Sequence, residues 1–299
     1  MDNGDAGWLT IANDGAAWSA ELWTVGQTKK VSEVELHGDE LRFVRQCRIG
    51  APEFAGGPPT GQPVPCQFVA TVTGDSIRIT QTSAAAPDRG LVTHVGQRNP
   101  PLPPKPDLSK VTFGAPIQLF NGVDLTGWTL SNPQQVNGWK AIGGVLVNES
   151  PKATFEPFSR YGNLRTERAF GDCRLTIEFK VPAGGNSGIY VRGAYEVQVV
   201  DRESRMQGIN GVGSIFGRIA PSKNAGKAGE EWQHYEIIIV DRHATVVLNG
   251  ETVIANEPIR GSTNGAFQAN VTTPGPLYLQ GDHTAVSYRN IVIQPVVGQ

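Results

Sequence analysis

One short stretch of the sequence places four side chains of different chemistry on what is predicted to be a single sheet face. The stretch GGNSGIYVRGAYEVQVVD, residues 184–201, contains two alternating runs whose polar positions are Tyr190, Arg192, Glu196 and Gln198. Side chains two residues apart in a strand share a face, so Tyr190 lies beside Arg192. Glu196 lies beside Gln198 for the same reason. If RGAY is a tight connection, the two pairs are neighbours on a face suited to a polar ligand.

Each of these side chains also has a structural alternative. For Glu196 the alternative is an ion pair with Arg192 across the strands. For Tyr190 it is packing, the commonest role of an aromatic side chain in a strand. For Gln198 it is solvation at a sheet edge. Arg192 is the least ordinary of the four, because a surface arginine rarely accompanies an alternating apolar row.

Three more candidates lie near this stretch or in LYLQGDH, residues 277–283. Gln280 suits recognition of hydroxyl groups, with edge-strand solvation as its alternative. His283 ends the predicted strand and is the preferred acid/base histidine, because the unperturbed pKa of imidazole is about 6.5. An exposed loop histidine is the alternative. Asp201 has the opposite parity to Glu196 and reaches the same face only if the strand has ended or bulged, so it is kept as a binding candidate and Glu196 is preferred as the reactive carboxylate.

Several familiar catalytic signatures are missing from the sequence. It contains no G-x-S-x-G elbow, no H-E-x-x-H, no Walker loop and no Cys/His zinc spacing. With five histidines, a multi-histidine metal site is not expected. No cofactor is predicted, although carboxylates with backbone oxygens leave calcium or another divalent ion open.

Charge and hydropathy exclude two classes of partner. The formal charge is −2, and no run of five basic residues occurs, so we expect no nucleic-acid partner. No apolar run approaches the roughly 18 residues that a membrane-spanning helix needs, so no membrane span is predicted.

Glycine and proline point to an all-β chain. The 36 glycines and 21 prolines favour turns and short strands over long helices. Alternating segments recur from Trp8 to Gln97 and predict a small antiparallel β-sheet or partial-barrel domain over residues 1–98. Residues 99–114 include five prolines within seven positions and predict a stiff linker.

Residues 115–299 are predicted to form a second β domain. Many strand-like segments without crossover helices imply antiparallel pairing in a two-sheet jelly-roll sandwich. Asn249-Gly250 between two apolar runs predicts a type I′ hairpin. The glycine-rich loop 202–230 is long for a compact sandwich, which indicates that it shapes a site.

Cysteine spacing gives a further expectation. Cys47 and Cys66 bracket a loop rich in proline and glycine, and a disulfide between them is predicted, with two reduced buried thiols as the alternative. A bridge would place the protein in the periplasm or outside the cell. Because MDNGDAGWLT lacks an apolar signal core, that location would require that a leader had been removed. Cys173 is predicted to be a small core residue.

The second domain resembles the 3-keto-disaccharide hydrolase family, also known as DUF1080. The motifs that carry the resemblance occur in family order over roughly residues 115–297: LFNGVDLTGW, WKAIGGVL, NSGIYVR, YEVQVVD, GEEWQHYEI, LNG, LYLQGDH and YRNIVI. The first domain is similar to the lipocalin-like or avidin-like β module that precedes some members. Asp282, next to His283, departs from the family pattern by adding a carboxylate, which we expect to tune this histidine.

The resemblance implies a concanavalin A-like jelly roll that acts on glycosides oxidised to a ketone at sugar C3, in a secreted or periplasmic protein. The ketone acidifies the C2 proton, so a base forms an enolate that expels the aglycone, and water then adds to the enone. Glu196 and His283 are the expected acid/base pair. The carbohydrate would be bound by the other candidates, which are Tyr190, Arg192, Gln198, Asp201 and Gln280.

Two rival functions stay open at this point. A lectin-like sandwich would present the same polar face for binding carbohydrate without catalysis. An ordinary glycosidase would use Glu196 with Asp201 and would need no keto group.

Overall fold

The computed structural model describes residues 7–15, 17–23, 29–51, 59–85, 87, 91–151 and 160–298. Two compact units divide the chain, Met1–Pro100 and Pro101–Gln299, and each has its own hydrophobic core. The all-β prediction is confirmed, since antiparallel strands build both units. In the described part of the chain, no helix has the length and apolar character needed to cross a membrane.

The first unit holds two open antiparallel sheets. Its strands are β1 (Trp8–Asn13), β2 (Trp18–Trp23), β3 (Lys29–Lys30), β4 (Ser32–His37), β5 (Glu40–Cys47), β6 (Val64–Thr73), β7 (Ser76–Thr82) and β8 (Val92–Gln97). Strands β1 to β3 form one sheet, and β4 to β8 form a meander in chain order. Phe43 and Phe68 face each other across β5 and β6 and stack with their ring centroids 5.2 Å apart. This is the small antiparallel domain expected from the alternating segments.

The predicted disulfide between Cys47 and Cys66 is wrong, because the structure leaves the two sulfurs unjoined. Cys47 pairs with Val64, and Cys66 pairs with Arg45. The cysteines are therefore diagonal neighbours on β5 and β6, a relation that separates Cα atoms by about 7–8 Å. A disulfide usually joins Cα atoms that are closer than this.

The second unit is a sandwich of two antiparallel sheets. Its strands are β9 (Thr112–Phe113), β10 (Ile117–Gln118), β11 (Trp128–Leu130), β12 (Trp139–Ile142), β13 (Val145–Asn148), β14 (Leu164–Phe170), β15 (Cys173–Lys180), β16 (Asn186–Val191), β17 (Tyr195–Val200), β18 (Gln233–Val240), β19 (His243–Leu248), β20 (Glu251–Pro258), β21 (Gly275–Leu279) and β22 (Val286–Gly298). The larger sheet has the order β12-β13-β22-β15-β18-β19-β20, with β9 and β10 also pairing with β22. The smaller sheet has the order β11-β14-β21-β16-β17. One apolar core fills the space between them, as the jelly-roll prediction requires.

The two sheets differ in what covers their outer faces. On β15 buried and half-buried residues alternate, so that one face packs on the core and the other meets solvent. On β17 all six residues are buried. The core covers one face of β17, and the opposite face of this strand is also shielded from water. The face of the smaller sheet that points away from the core is called the polar face below.

Two loops shield the polar face near β17. Within loop 202–230, Ile215 forms an isolated antiparallel β-bridge with Val197. The Ser214 carbonyl accepts a hydrogen bond from the backbone N–H of Gln198 at 3.1 Å. In segment 259–274, the Thr263 amide donates to the Ala194 carbonyl at 2.8 Å. The edge of β17 therefore has its backbone groups satisfied by loops.

The structure shows where two sequence features of the second unit lie, namely the Asn249-Gly250 hairpin and the proline-rich segment 99–114. The Asn249-Gly250 hairpin is confirmed, with φ of 52° and 86° between β19 and β20. Part of the proline-rich segment 99–114 is bonded to this unit. Strand β9 pairs with β22, and the Asn256 side chain donates to the Pro106 carbonyl at 2.9 Å.

Candidate functional site

Four strands each contribute one side chain to a row across the polar face. Arg165 of β14 pairs with Tyr278 of β21, and Tyr278 pairs with Tyr190 of β16. Tyr190 pairs in turn with Glu196 of β17. Paired residues on antiparallel strands point to the same side of a sheet. Arg165, Tyr278, Tyr190 and Glu196 therefore form a continuous line, called the polar row below.

A glycine next to this row makes room for the Glu196 carboxyl group. Gly188 lies two residues before Tyr190 and pairs with Gln198. A Cβ atom on Gly188 would lie 2.9 Å from Glu196 Cδ and would overlap Glu196 Oε1. The Glu196 side chain thus leans over Gly188, and a larger residue at position 188 would displace it.

Burial dominates the acidity of Glu196. Only 3% of the residue is exposed. Loss of hydration raises the pKa of Glu196 from 4.5 to about 8, a hydrogen bond with Tyr190 opposes the rise, and the charge of Asp282 adds to it. Glu196 therefore holds its proton through neutral pH and becomes a base of useful strength above it.

Tyr190 remains a proton donor at any physiological pH. Burial and the neighbouring Glu196 raise the pKa of Tyr190 well above 10. Its hydroxyl donates to the Asn264 carbonyl at 3.1 Å, and its ring meets Tyr278 edge-on with centroids 4.7 Å apart. A Cβ on Gly265 would lie 2.9 Å from this hydroxyl, so segment 259–274 passes directly over Tyr190.

Asn163 connects Tyr278 to the loop that carries His283. Its Nδ2 donates to the Tyr278 hydroxyl at 2.6 Å and to Asp282 Oδ2 at 3.4 Å. Its Oδ1 accepts from the Gly281 amide at 2.6 Å and from the Asp282 amide at 3.2 Å. The two backbone donors require an oxygen at that position, which fixes the orientation of the Asn163 amide.

Asp282 and His283 form a carboxylate–imidazole pair. His283 Nδ1 lies 2.5 Å from Asp282 Oδ1, and both side chains are largely buried. An ionised carboxylate only accepts, so Nδ1 carries the proton in this pair. The exchangeable position of the ring is then Nε2, and the added carboxylate noted in the sequence orients the ring.

The two glutamine candidates lie on the polar face with different surroundings. The backbone N–H of Gln280 donates to the Gly188 carbonyl at 2.9 Å, which places Gln280 beside Gly188. Gln280 Oε1 is buried and has no hydrogen-bond partner among the described residues. Gln198 instead donates to the Asn210 carbonyl at 3.3 Å and accepts from the Val199 amide at 3.0 Å. Gln280 is available for a ligand, whereas Gln198 holds loop 202–230.

Arg192 does not lie beside Tyr190 as the parity argument expected. It is in the turn after β16, with φ of 58°, and not in the strand. Its Nη1 pairs with Asp172 Oδ1 at 2.6 Å, and its Nη2 donates to the carbonyls of Val271 and Thr273 at 3.2 Å each. Strand parity does not extend through a left-handed turn residue. Arg192 thus anchors segment 259–274.

Asp201 is likewise occupied by the backbone. Its Oδ2 accepts from the Gly184 amide at 2.6 Å, and its Oδ1 accepts from the Glu203 amide at 2.9 Å. It follows the last residue of β17 and organises the start of loop 202–230. The structure therefore does not bring Asp201 together with Glu196 as a second carboxylate.

Three residues of the site were absent from the predicted set: Asn163, Arg165 and Tyr278. Tyr278 could have been found, because it lies two residues before Gln280 and shares its strand face. Asn163 and Arg165 carry no such signal, since only the pairing of β14 with β21 reveals their neighbours. Among the described residues, no group of three or more His, Cys, Asp or Glu side chains is arranged to hold a metal ion.

Comparison with known proteins gave matches to a family and to solved structures. The family model of the 3-keto-alpha-glucoside-1,2-lyase-like domain matches residues 115–294. A candidate glycosyl hydrolase from Parabacteroides distasonis ATCC 8503 is 21% identical over 60% of this chain and 93% of its own, with a TM-score of 0.49. A second from the same organism is 28% identical over 66% and 94%, with a TM-score of 0.46.

A more distant similarity is to the carbohydrate-binding module CBM66 from Bacillus subtilis. It is 11% identical over 55% of this chain and 93% of its own, with a TM-score of 0.34. A search of curated proteins found no match. The family match spans more than half of the 299 residues and confirms the resemblance drawn from the sequence motifs. The chain therefore belongs to the family of the 3-keto-alpha-glucoside-1,2-lyase-like domain.

Proposed function

We propose that the second unit cleaves 3-keto-glycosides by elimination followed by hydration, with Glu196 as the base. The observation that carries the proposal is the buried Glu196 carboxyl group, which lies over Gly188 and opposite the Tyr190 hydroxyl. A carboxyl group with a pKa near 8 is a stronger base than an ordinary one, and it can exchange a proton near neutral pH.

The reaction begins at the sugar carbon next to the ketone. Glu196 takes the C2 proton, and the C–H electron pair forms a C2–C3 double bond as the C3 oxygen becomes an enolate. The enolate then reforms the carbonyl, a C1–C2 double bond appears, and the C1–O bond to the aglycone breaks with its electrons on oxygen. A proton from an acid neutralises this leaving oxygen. Water finally adds its oxygen to C1 and a proton to C2, which gives the 3-keto-sugar and the free aglycone. Glu196 releases the proton that it took from C2 to solvent, and the acid regains one from solvent, so that both groups are ready for the next turnover.

The remaining residues supply the other roles. His283, oriented through Nδ1 by Asp282, donates the proton to the leaving oxygen from Nε2. Tyr190 keeps its proton and, when its hydroxyl turns away from the Asn264 carbonyl, donates a hydrogen bond to the C3 oxygen as charge develops there. Gln280 Oε1, unpartnered in the described structure, accepts from a ring hydroxyl. Arg192, bound to Asp172, serves the loop and not the enolate.

Release of p-nitrophenol tests the proposal. Both anomers of p-nitrophenyl 3-keto-glucoside are offered, with the unoxidised glucosides as matched controls. We expect release from a keto substrate alone, and a loss of at least about 100-fold in kcat for Glu196→Gln with the fold retained.

Each rival predicts a different result in this assay. Binding of the keto substrate without turnover would establish a carbohydrate-binding protein. Equal release from the unoxidised glucosides would establish an ordinary glycosidase. Full activity of Glu196→Gln would remove this residue from the mechanism.

A further inference from the structure

We propose that Thr263 is a positioning residue for Glu196, and that its hydroxyl group holds the backbone of this glutamate in the geometry that proton transfer requires. Thr263 belongs to segment 259–274, one of the two loops that shield the polar face near β17. The inference rests on the proposed function, because it concerns the residue that the proposed reaction uses as its base. It adds a residue that acts through the backbone of that base and not on the sugar.

Glu196 lies at a position of β17 where the hydrogen bonds of the sheet do not hold its backbone. Strand β17 is the last in the order of the smaller sheet. In an antiparallel pair the N–H and C=O groups of alternate residues point away from the partner strand. The Glu196 carbonyl accepts from the Phe216 N–H of loop 202–230 at 3.0 Å, so its backbone groups point outward. The Glu196 N–H therefore needs a partner outside the sheet.

The Thr263 side chain supplies this partner. Its Oγ1 accepts from the Glu196 N–H at 2.9 Å and donates to the Ala194 carbonyl at 3.2 Å. The backbone N–H of Thr263 donates to the same carbonyl at 2.8 Å. Because one hydroxyl group can accept one hydrogen bond while it donates another, both contacts of Oγ1 exist together. Thr263 thus ties Glu196 to Ala194, the residue that precedes β17.

Burial makes the contact important for the position of the base. Glu196 and Thr263 are 3% and 2% exposed, so water does not readily replace a lost hydrogen bond. The carbonyl of the next residue, Asn264, accepts from the Tyr190 hydroxyl at 3.1 Å. Two consecutive residues of segment 259–274 therefore contact the residues that the proposed reaction uses as base and as hydrogen-bond donor. Misplacing such a group by about 1 Å can lower a rate by about 100-fold.

Two substitutions separate the hydroxyl group of Thr263 from its bulk. Thr263→Val keeps the shape and loses the hydroxyl group, whereas Thr263→Ser keeps the hydroxyl group and loses a methyl group. With the p-nitrophenyl 3-keto-glucoside that the unaltered protein cleaves, Thr263→Val should lower kcat by roughly 10- to 100-fold and leave KM within about twofold. Thr263→Ser should keep kcat within about threefold. If Thr263→Val does not fold, Thr263→Ala takes its place, because the smaller side chain cannot clash.

Thr166 provides a matched control in the same sheet. It is on β14 and is 3% exposed. Its hydroxyl group accepts from the Leu277 N–H at 3.0 Å and donates to the Arg168 carbonyl at 2.7 Å. Thr166→Val therefore removes the same kind of buried contact without touching Glu196. Its kcat should stay within about twofold of that of the unaltered protein, even where its stability falls as that of Thr263→Val does.

Hydrogen exchange of the Glu196 N–H tests the contact without any substrate. NMR should show exchange at least about 10-fold faster in Thr263→Val, because the N–H loses its acceptor. The exchange rate should be unchanged in Thr263→Ser and Thr166→Val. If the unaltered protein cleaves no 3-keto-glucoside, the proposed function fails instead, and this exchange rate decides whether Thr263 holds Glu196.

Three results would overturn the positioning role of Thr263. The first is a normal kcat in Thr263→Val. The second is an equal loss of kcat in Thr263→Ser or in Thr166→Val, because the effect would then come from packing or from stability and not from the hydroxyl group. The third is equal exchange of the Glu196 N–H in Thr263→Val and in the unaltered protein.

Discussion

Glu196 is a buried carboxyl group without a cationic partner among the described residues. It forms a hydrogen bond with the Tyr190 hydroxyl, and the charge that affects its pKa, Asp282, is also negative. Both burial and the like charge favour the protonated form. Folding therefore makes ionisation of Glu196 unfavourable. The protonation state of this carboxyl group is thus linked to the free energy of unfolding.

This link predicts how stability depends on pH. The pKa of Glu196 is about 8 in the folded protein and near 4.5 when unfolded. Below pH 4.5 both states hold the proton. Between pH 4.5 and 8 only the folded state keeps it, so the free energy of unfolding should fall as pH rises, by an amount on the order of a few kcal/mol. Chemical denaturation at pH 5 and pH 9 measures the difference.

Substitution isolates the contribution of this one group. Glu196→Gln cannot ionise, so its loss of stability between pH 5 and pH 9 should be smaller than that of the unaltered protein. Exposed Glu167, replaced by Gln, provides the control and should change nothing. The same pH dependence in Glu196→Gln and the unaltered protein would mean that Glu196 is hydrated in solution.

Asn163 gives a second prediction at this scale. Asn163→Asp keeps an oxygen for the amides of Gly281 and Asp282, but it loses the donor to Tyr278 and adds a negative charge beside Asp282. We expect kcat to fall at least about 10-fold with little change in KM, because proton transfer depends on positioned groups. The rate–pH profile should shift to higher pH, since added negative charge favours the protonated form of Glu196.

The rate–pH profile of Asn163→Asp distinguishes two roles for Asn163, positioning of the reactive groups and support of the loop that carries His283. A residue that only holds the loop would tolerate aspartate, which still accepts from both backbone amides. Asn163→Ala, which loses every one of these bonds, shows what loss of support does. A normal kcat and an unshifted profile in Asn163→Asp would contradict a positioning role.

At the scale of elements, one side chain connects the turn between β16 and β17 to segment 259–274. Arg192 of this turn donates to the carbonyls of Val271 and Thr273, and it also pairs with Asp172, which lies between β14 and β15. Arg192→Ala would remove a buried guanidinium, leave the half-buried Asp172 without its charge partner, and should lower the free energy of unfolding by about 3–5 kcal/mol. Denaturant titration measures this loss.

An exposed ion pair in the same unit is the comparison. Arg202 and Glu203 are both more than half exposed. Arg202→Ala should change stability by about 0–1 kcal/mol, as surface pairs generally do. Similar small effects for the two alanine variants would show that the Arg192 pair does not hold segment 259–274.

Strand parity predicted part of the site and failed where the strand ended. It correctly places Tyr190 and Glu196 on the same sheet face, because alternation is a local property that the sequence displays. It fails for Arg192, because nothing in RGAY reveals which residue first adopts a positive φ. It also gives no warning that loops cover the polar face, since burial of β17 on both sides depends on distant segments.

For the whole molecule, composition and turn residues predicted the fold class. Strand-like segments without crossover helices predicted the sandwich, and the family motifs implied the same fold. The polar row lay beyond such reasoning, because it joins positions 165, 190, 196 and 278 through the pairing of four strands. Pairing order in an antiparallel sheet is set by packing of the entire core. The disulfide prediction failed for a related reason, as Cys47 and Cys66 belong to adjacent strands but not to one pair.

The most direct test of the account is the isotope content of the sugar product. The unaltered protein would convert methyl 3-keto-α-glucoside in D₂O, and NMR would follow C2 of the 3-keto-glucose formed. A sample of 3-keto-glucose alone would correct for spontaneous exchange. Elimination and hydration through Glu196 predict deuterium at C2 in every product molecule, at a rate at least about 100-fold lower in Glu196→Gln. Product that keeps its original C2 hydrogen would contradict the proposed mechanism.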